Sequence, residues 1–311
     1  MGYVEEKAYK MKVISVGNII MGGAGKTPHT ITIANEYINR GEKVAILSLG
    51  YRGRLGYDTN VISDGNNIFH KPPFAADEPY MMALECNSAS VITGKNRTLS
   101  MEYAQNNFGT TLAVLDDGFQ YKPIKKDADI LLLDHKNPIS TGWPFPFGYL
   151  REMPYGIKRA DIIIFTRSSN NNIPESTKKY IADKPVFFSR TVTDKIVIKN
   201  KILPITDFKG ICAGAFSAVA SNKSFLDSLK YAGINIVYFK GFRDHALLNE
   251  ADLESIIKES KKNGSEFFIT TQKDFVKIPD KYKDIFGYLK MEINIDHKDV
   301  FFNTLDGLIG I

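Results

Sequence analysis

The sequence predicts an α/β protein with a P-loop-type, mostly parallel sheet that has helices on both faces, plus a second, smaller α/β domain. Three observations support this fold. An apolar, β-branched run at residues 13–16 ends in a glycine cluster, and a helix-like segment follows. A second continuous apolar run at 44–49 completes a strand–helix–strand order, which is typical of a parallel sheet buried on both faces. Strand and helix patterns alternate again after the polar stretch 168–172, which resembles a domain boundary.

The glycine cluster carries the first chemical prediction. Such glycines allow backbone N–H groups to surround phosphate oxygens at the positive end of a helix. We expect Lys26 to reach the outer phosphates and the Thr27 hydroxyl to face Mg2+. The strict pattern is broken by Ile20, which stands where its first glycine belongs, and the alternative is a glycine-rich turn with an exposed lysine. The predicted cofactor-binding residues are Gly22, Gly23, Ala24, Gly25, Lys26 and Thr27.

Hydrophobic periodicity places the remaining elements. In the first domain it predicts helices at 30–40, 80–86 and ending near 107, with strands at 91–93, 111–115, 130–133 and 162–165. In the second it predicts strands at 186–189, 196–198, 210–213, 234–239 and 267–270, with helices at 223–231 and 253–262. Because the glycine cluster and the strand end at 115 belong to one parallel sheet, both should lie at its carboxyl edge, where ligands bind in open α/β folds.

Composition narrows the class of protein. Of 311 residues, 43% are hydrophobic and 24% are charged, which is ordinary for a globular protein. The net charge of +5 favours an anionic ligand or surface without specifying nucleic acid. Only two cysteines occur, Cys86 and Cys212, so a disulfide framework is not expected and a reducing compartment fits. The charged residues 1–12 match neither a signal peptide nor a spanning helix.

Acidic residues at predicted strand ends and helix starts are the other candidates. Asp116 and Asp117 follow a strand directly, where carboxylates hold Mg2+ in phosphate-loop proteins, although Asp-Gly turns are also common structural features. Asp77-Glu78-Pro79 precedes a helix and has a capping role as its alternative. Asp244-His245 is either catalytic or a surface pair.

The segment 138–154 is rich in proline, glycine and aromatic residues and contains the only tryptophan, Trp143. This composition disfavours regular structure and indicates a functional loop or lid. Its run from Trp143 to Phe147 is a candidate contact with a lipid interface, where aromatic side chains are enriched. Packing of these aromatics on the protein itself is the alternative.

Taken together and in order, these motifs resemble the tetraacyldisaccharide 4'-kinase family, the lipid A 4'-kinases. The resemblance runs from about residue 12 to the C-terminus, and Asp-Asp-Gly-Phe-Gln is its most specific part. The matching segments are 15–18 with 22–28, Gly50-Tyr51, 77–79, 116–120, Leu150-Arg151-Glu152, Ala213-Gly214, Asp244-His245, and Thr270, Thr271, Lys273 and Asp274.

The resemblance implies ATP-dependent phosphorylation of the 4'-hydroxyl of a tetraacyldisaccharide 1-phosphate lipid A precursor, with ATP and Mg2+ as cofactors. With the boundary that the polar stretch 168–172 indicates, we expect a kinase domain at 1–167 and a smaller domain at 168–311 that closes over the active-site cleft. The implied residues are Lys26 and Thr27 on the triphosphate and Mg2+, metal ligands among Asp116, Asp117 and Glu152, an Asp77–His245 pair that activates the sugar hydroxyl, and Tyr51, Glu78 and Arg151 lining the site.

The resemblance also implies a lipid substrate, a peripheral position at the cytoplasmic face of the inner membrane and no nucleic-acid partner. Several positions depart from the family pattern. The charged residues 1–12 stand where an apolar anchoring helix is usual. Tyr121 replaces a usual histidine, Gln272 a usual glutamate, and Ala246 follows His245 where an aromatic or second histidine is frequent.

Three other functions fit parts of the sequence. A nucleotide-switch ATPase with a variant loop would need a second lysine just before the glycines, where Ile20 and Met21 stand. A nucleotide-binding assembly module would bind ATP without transferring phosphate. A kinase of a soluble sugar would share the nucleotide site and differ in its acceptor.

Overall fold

The computed structural model describes residues 6–51, 53–56, 58–244, 246 and 248–311. The chain divides into two compact units, one formed by residues 1–191 and 293–311 and the other by residues 192–292. The division predicted at 167/168 therefore differs from the observed one. Two features explain the difference: a strand that begins after residue 167 still pairs with the first sheet, and the C-terminal helix packs on the first unit.

The first unit is built on a mostly parallel sheet, in agreement with the predicted fold class. Its strands run in the order β7-β6-β1-β5-β2-β4-β3, and β3 is the antiparallel member at the edge. In chain order the elements are β1 (Lys12–Asn18), α1 (Lys26–Asn39), β2 (Val44–Ser48), β3 (Asn60–Asp64), α2 (Asp77–Glu85), β4 (Ser90–Thr93), α3 (Arg97–Phe108), β5 (Leu112–Asp116), β6 (Ala128–Asp134), β7 (Ile162–Thr166), α4 (Glu175–Ile181) and β8 (Val186–Ile198).

Burial of the central strands explains their continuous apolar sequence. All five residues of both β2 and β5 are buried, as strands covered by helices on both faces must be. One hydrophobic cluster contains Phe119, Leu150 and Phe165, and another contains Leu47 and Met101. The carboxyl edge of this sheet is thus fixed to a packed core.

The second unit has its own sheet and its own core. Parallel strands lie in the order β11-β10-β12-β13, and β9 pairs antiparallel with the C-terminal part of β8. The elements are β9 (Lys201–Pro204), β10 (Cys212–Ser217), α5 (Asn222–Tyr231), β11 (Asn235–Gly241), α6 (Glu250–Lys262), β12 (Phe267–Thr271), α7 (Gln272–Phe275) and β13 (Phe286–Ile295). Core residues include Leu229, Ile269 and Phe286.

The final helix, α8 (Lys298–Ile309), returns to the first unit. The Tyr37 hydroxyl on α1 donates to Asp306 at 2.8 Å, and Arg40 donates to the same carboxylate at 2.7 Å. Phe302 packs edge-on against the Tyr37 ring. These contacts explain why the last residues belong with the N-terminal part of the chain.

Several elements differ from the sequence-based prediction. Helix α1 begins at Lys26 rather than at residue 30, so the lysine and threonine of the motif lie in its first turn. The two short strands predicted at 186–189 and 196–198 are one strand, β8. The edge strand β3, the late strand β13 and helix α8 were not predicted. Among the described residues, no helix is long and apolar enough to span a bilayer.

Candidate functional site

The candidate site lies at the carboxyl edge of the first sheet, where two neighbouring strands end together. In the β1–β5 pair Val16 lies beside Asp116, so Asn18 extends past the last residue of β5. The glycine loop leaves β1 at this point. The predicted placement of the loop beside the two aspartates is therefore observed.

The loop is shaped by two glycines and one asparagine. Gly22 has φ +127° and Gly25 has φ +80°, which are conformations that a Cβ atom disfavours. The Asn18 side chain donates to the Ile20 carbonyl at 2.8 Å and accepts from Lys26 Nζ at 3.3 Å. Gly25 precedes α1, and no described side chain caps that helix. The N–H groups at its start are therefore left for an anion.

Lys26 lies beside the second aspartate. Its Nζ is 3.7 Å from Asp117 Oδ1. Arg151 Nη1 donates to both oxygens of the same carboxylate at 2.8 Å. Asp117 itself has φ +55°, and its carbonyl accepts from Arg97 Nη1 at 3.0 Å. Two arginines thus fix an aspartate in a left-handed conformation that positions its carboxylate near the phosphate-loop lysine.

Asp116 is buried, and its carboxyl group lies near other acidic side chains. Its oxygens accept from the Thr30 hydroxyl at 3.3 Å and the Ser48 hydroxyl at 3.2 Å. Burial raises the pKa of Asp116 to about 6, and the charges of Glu78 and Asp117 add to the effect, while Lys26 and Arg97 oppose it. A carboxylate among other carboxylates is a position where a cation would be stabilised.

Arg97 is the main site residue that sequence reasoning missed. It is the first residue of α3, only 5% exposed, and burial lowers its pKa. The guanidinium lies 5.5 Å from the centre of the Tyr121 ring, and the Tyr121 hydroxyl accepts from the Arg97 backbone N–H at 3.1 Å. Tyr121, which replaces a usual histidine, therefore helps to cap α3 in this chain. A basic residue after Lys95-Asn96 was the only available signal, and it resembles any polar turn.

The remaining residues of the Asp-Asp-Gly-Phe-Gln motif have structural roles. A Cβ on Gly118 would lie 2.7 Å from both Leu115 and Ser15, and Phe119 is buried in the core. Gln120 Nε2 donates to the Asn18 carbonyl and to Glu152 Oε1, each at 2.9 Å. The motif thus connects the end of β1 with the end of the segment 138–154, called the aromatic loop below.

Glu152 accepts hydrogen bonds from Arg159 and Gln120. Arg159 donates to both of its oxygens, at 2.6 and 2.8 Å. Burial would raise the pKa of Glu152, but the hydrogen bonds from Arg159 and Gln120 hold it below the usual range. This bidentate ion pair is a sufficient reason for a carboxylate at this position. A metal-binding role for Glu152 stays a prediction.

The aromatic loop is attached to the phosphate loop. Ile20 and Leu150 form an antiparallel bridge, in which Met21 N–H donates to the Tyr149 carbonyl and Arg151 N–H to the Ile19 carbonyl, both at 2.7 Å. Leu150 is fully buried. By contrast, the aromatic side chains on this loop are strongly exposed: Trp143 at 59%, Phe145 at 69%, Phe147 at 84% and Tyr149 at 66%.

The structure describes only some of the residues that were predicted to bind or activate the sugar hydroxyl. Asp77 and Glu78 are the first two residues of α2, and Tyr51 follows β2 with 61% of its surface exposed. His245 lies outside the described residues, so the Asp77–His245 pair is not tested. Its neighbour Asp244 lies 3.6 Å from Lys273 Nζ.

A metal ion would have to be held by few protein ligands. No group of three or more His, Cys, Asp or Glu side chains suited to a metal occurs in the part of the chain that the structure describes. Mg2+ in nucleotide sites is commonly bound by one or two protein groups, with phosphate oxygens and waters completing its shell. The buried Asp116, with its raised pKa beside Asp117 and Glu78, fits that arrangement.

Comparison with known proteins identifies the family. The sequence matches the model of the family LpxK, tetraacyldisaccharide-1-P 4'-kinase, over residues 1–309. A tetraacyldisaccharide 4'-kinase of Desulfotalea psychrophila is 35% identical over 286 residues, covering 89% of this chain and 81% of that one. One from Geobacter metallireducens is 32% identical over 277 residues, with the same coverage of 89% and 81%.

A solved structure agrees with the sequence comparisons. LpxK from Aquifex aeolicus, crystallised in complex with ATP, superposes with a TM-score of 0.78 at 26% sequence identity, covering 98% of this chain and 90% of that one. The phosphate loop, the paired aspartates and the fold thus occur together in a chain that matches this family from end to end. The chain belongs to the tetraacyldisaccharide 4'-kinase family.

Proposed function

We propose that the protein transfers the γ-phosphoryl group of ATP to the 4'-hydroxyl of a tetraacyldisaccharide 1-phosphate, a lipid A precursor. Membership of the 4'-kinase family supports the reaction and its substrate. The observation that carries the proposal is the position of Lys26, 3.7 Å from Asp117 at the end of the neighbouring strand. Phosphoryl transfer requires a cation that binds the phosphates and a carboxylate that holds Mg2+, and both groups lie at this sheet edge.

The triphosphate would bind across the glycine loop and the start of α1. Residues 22–25 supply a flexible backbone, and the uncapped helix supplies N–H groups and a positive dipole end. Lys26 would neutralise charge on the transferring group, with Asn18 and Asp117 holding its side chain in place.

Mg2+ would be held by Thr27, Asp116 and Asp117, and it would neutralise charge on the phosphate oxygens. In the free protein, Asp117 is oriented by Arg151, and Asp116 by Thr30 and Ser48. These contacts fix the two carboxylates before any ligand arrives, so little reorganisation is needed at the reaction step.

The acceptor side rests on chemistry and on the family motif. A sugar hydroxyl is a poor nucleophile, so a carboxylate within hydrogen-bond reach is needed to accept its proton. Asp77 would be that base, and His245 would orient it and relay the proton. The proposal requires the smaller domain to close over the acceptor, with Tyr51, Glu78 and Arg151 lining the site.

Because a lipid substrate is embedded in a membrane, the enzyme would have to bind the membrane surface to reach it. We propose a peripheral position on the cytoplasmic face of the inner membrane, with Trp143, Phe145 and Phe147 entering the interface. The attachment of their loop to the phosphate loop through Leu150 would place the lipid surface beside the reaction centre. The net charge of +5 favours anionic lipids.

The test is incubation with γ-labelled ATP and tetraacyldisaccharide 1-phosphate, followed by identification of the labelled position. Label at the 4'-position is the expected result. ATP turnover that does not depend on any acceptor would overturn the proposal in favour of a nucleotide-switch ATPase. Equal transfer to the deacylated disaccharide would point to a soluble-sugar kinase.

A further inference from the structure

The backbone carbonyls of the phosphate loop require partners if the loop is to present its N–H groups to an anion. An N–H group and the neighbouring carbonyl point in opposite directions, so each carbonyl must be held away from the bound phosphate. The Asn18 side chain supplies two such contacts, to the Ile20 carbonyl at 2.8 Å and to the Gly22 carbonyl at 3.4 Å. Two others come from side chains outside the motif. Arg167 Nη2 donates to the Gly23 carbonyl at 2.7 Å, and His29 Nδ1 lies 2.7 Å from the Gly25 carbonyl.

Gly25 is the critical position of the loop. It has φ +80° and immediately precedes Lys26. Its carbonyl receives two hydrogen bonds from His29, one from the backbone N–H at 3.2 Å and one from the imidazole. A Cβ on Gly25 would lie 3.5 Å from His29 Nδ1, so the ring packs directly against this residue.

The far side of the imidazole fixes its tautomer. His29 is 1% exposed, and its Nε2 lies 2.9 Å from the hydroxyl of Ser189, a residue of β8 that is also 1% exposed. Because a carbonyl can only accept, Nδ1 carries the proton and Nε2 accepts from Ser189. Burial lowers the pKa of His29 to about 4, so the neutral ring is the form present near neutral pH.

We propose that His29 is a positioning residue for ATP: its Nδ1–H holds the Gly25 carbonyl away from the phosphate site and keeps the N–H groups before Lys26 directed at the triphosphate. This inference rests on the proposed nucleotide site. His29 itself does not touch ATP in this arrangement. Its loss should weaken the binding of ATP while leaving the rest of the first unit folded.

Two substitutions separate the hydrogen bond from the bulk of the ring. In His29→Asn the amide nitrogen replaces Nδ1 and can still donate to Gly25, whereas His29→Phe keeps the ring and loses the donor. Tyr37→Phe is the matched control, because it removes a hydrogen bond from the same helix at a distance from the loop. The dissociation constant for ATP in the presence of Mg2+, measured by calorimetry on the full chain, is the readout, with the Tm of each variant recorded.

We expect His29→Phe to weaken ATP binding about tenfold, as the loss of one orienting hydrogen bond does, and His29→Asn to restore affinity to within about threefold of wild type. Tyr37→Phe should lower the Tm without changing ATP affinity. If His29→Phe fails to fold, His29→Gln takes its place, because its amide reaches toward Ser189 rather than Gly25.

Equal ATP affinity in wild type and the variant that lacks the donor would overturn the inference. Equal losses in the Asn and Phe variants would overturn it as well, since the hydrogen bond would then not be the cause. Failure of the wild-type protein to bind ATP at all would instead reject the proposed nucleotide site.

Discussion

Each unit of the molecule buries an aspartate near the end of a parallel strand, and the two are stabilised in opposite ways. Asp274, in α7 just after β12, is fully buried and lies 2.7 Å from Lys277 Nζ, which is itself 3% exposed. It also accepts from the Thr271 hydroxyl and the Ala218 backbone N–H. Asp116, the last residue of β5, is held by two neutral hydroxyls, and burial together with nearby carboxylates raises its pKa.

The contrast separates a carboxylate that stabilises the fold from one that we propose to bind a metal ion. The charge of Asp274 is neutralised by its own neighbours, and the group joins β10, β12 and α7. The charge of Asp116 is only partly compensated by Lys26 and Arg97, and we propose that a cation completes the compensation. Burial alone therefore does not mark a site; the informative feature is a buried charge whose compensation is incomplete.

The largest effect is expected at Lys26, the cation next to the incompletely compensated pair. Lys26→Ala should lower kcat/KM by about 1,000-fold, or roughly 4 kcal/mol, because the transferring phosphoryl group loses its main protein cation. Lys230→Ala is the control, because Lys230 is an exposed lysine of α5 in the second unit. Activity of the Lys26 variant within about tenfold of wild type would remove the phosphate-loop assignment.

The second unit takes part in the reaction, in our proposal, only through His245. Asp77→Asn should lower kcat by about 100-fold or more with ATP binding nearly intact, because Asp77 would contact the acceptor hydroxyl and not the triphosphate. His245→Ala should have a smaller effect. The two single variants and the double variant are compared at saturating ATP. Strictly additive losses in activation free energy would mean that the residues do not act as a unit.

The comparison between the aspartates themselves can be tested by one substitution in each unit. Asp274→Asn leaves Lys277 buried beside a neutral group and should lower the free energy of unfolding by about 3 kcal/mol. Asp116→Asn should abolish most activity with no loss of stability. Urea unfolding and kinase assays on both variants check this pair. The contrast fails if both substitutions mainly destabilise the protein.

The sequence predicted the first unit well because its signals are local. Local sequence alone predicts the β-branched strands β1, β2 and β5 and the glycine loop, without any tertiary information. Helix α1 was predicted to begin too late because Lys26 and Thr27 were assigned to the loop. The amphipathic helix α8 went unpredicted, although Phe302 and Asp306 are the residues that attach it to α1.

Only part of the candidate site could be predicted, because some of its residues act through long-range contacts. Motif residues such as Lys26, Asp116 and Asp117 were found at strand ends, where the fold rule places ligand groups. Arg97 and Gln120 act through contacts between residues far apart in sequence, and His29 is oriented by the distant Ser189. A single sequence carries no record of such contacts. Gln120, for example, contacts Glu152 only because the aromatic loop returns to β1.

The pH dependence of stability should separate Asp116 from a compensated carboxylate. Its pKa is raised from 3.8 to about 6 in the folded state, so the folded protein binds more protons than the unfolded one between these values. Stability from this group is present below pH 3.8 and is lost as pH rises through 6, by about 3 kcal/mol. In EDTA-containing buffer, Asp116→Asn should therefore gain stability relative to wild type between pH 4 and 7. A constant difference across that range would contradict the assignment.

The smallest expected effect concerns the surface that we propose to contact lipid. The exposed aromatic side chains of the loop at 138–154 lie in the first unit, and this loop is attached to the phosphate loop by the Ile20–Leu150 bridge. Flotation with anionic liposomes should fall severalfold for Trp143→Ala and Phe145→Ala, because each aromatic contributes about 1 to 2 kcal/mol at an interface. Tyr231→Ala is the matched control, since Tyr231 lies in the second unit and is 96% exposed. Equal flotation of all three variants and wild type would mean that this loop does not contact the lipid surface. A loss confined to Tyr231→Ala would place the lipid contact on the second unit and reverse the assignment of the two surfaces.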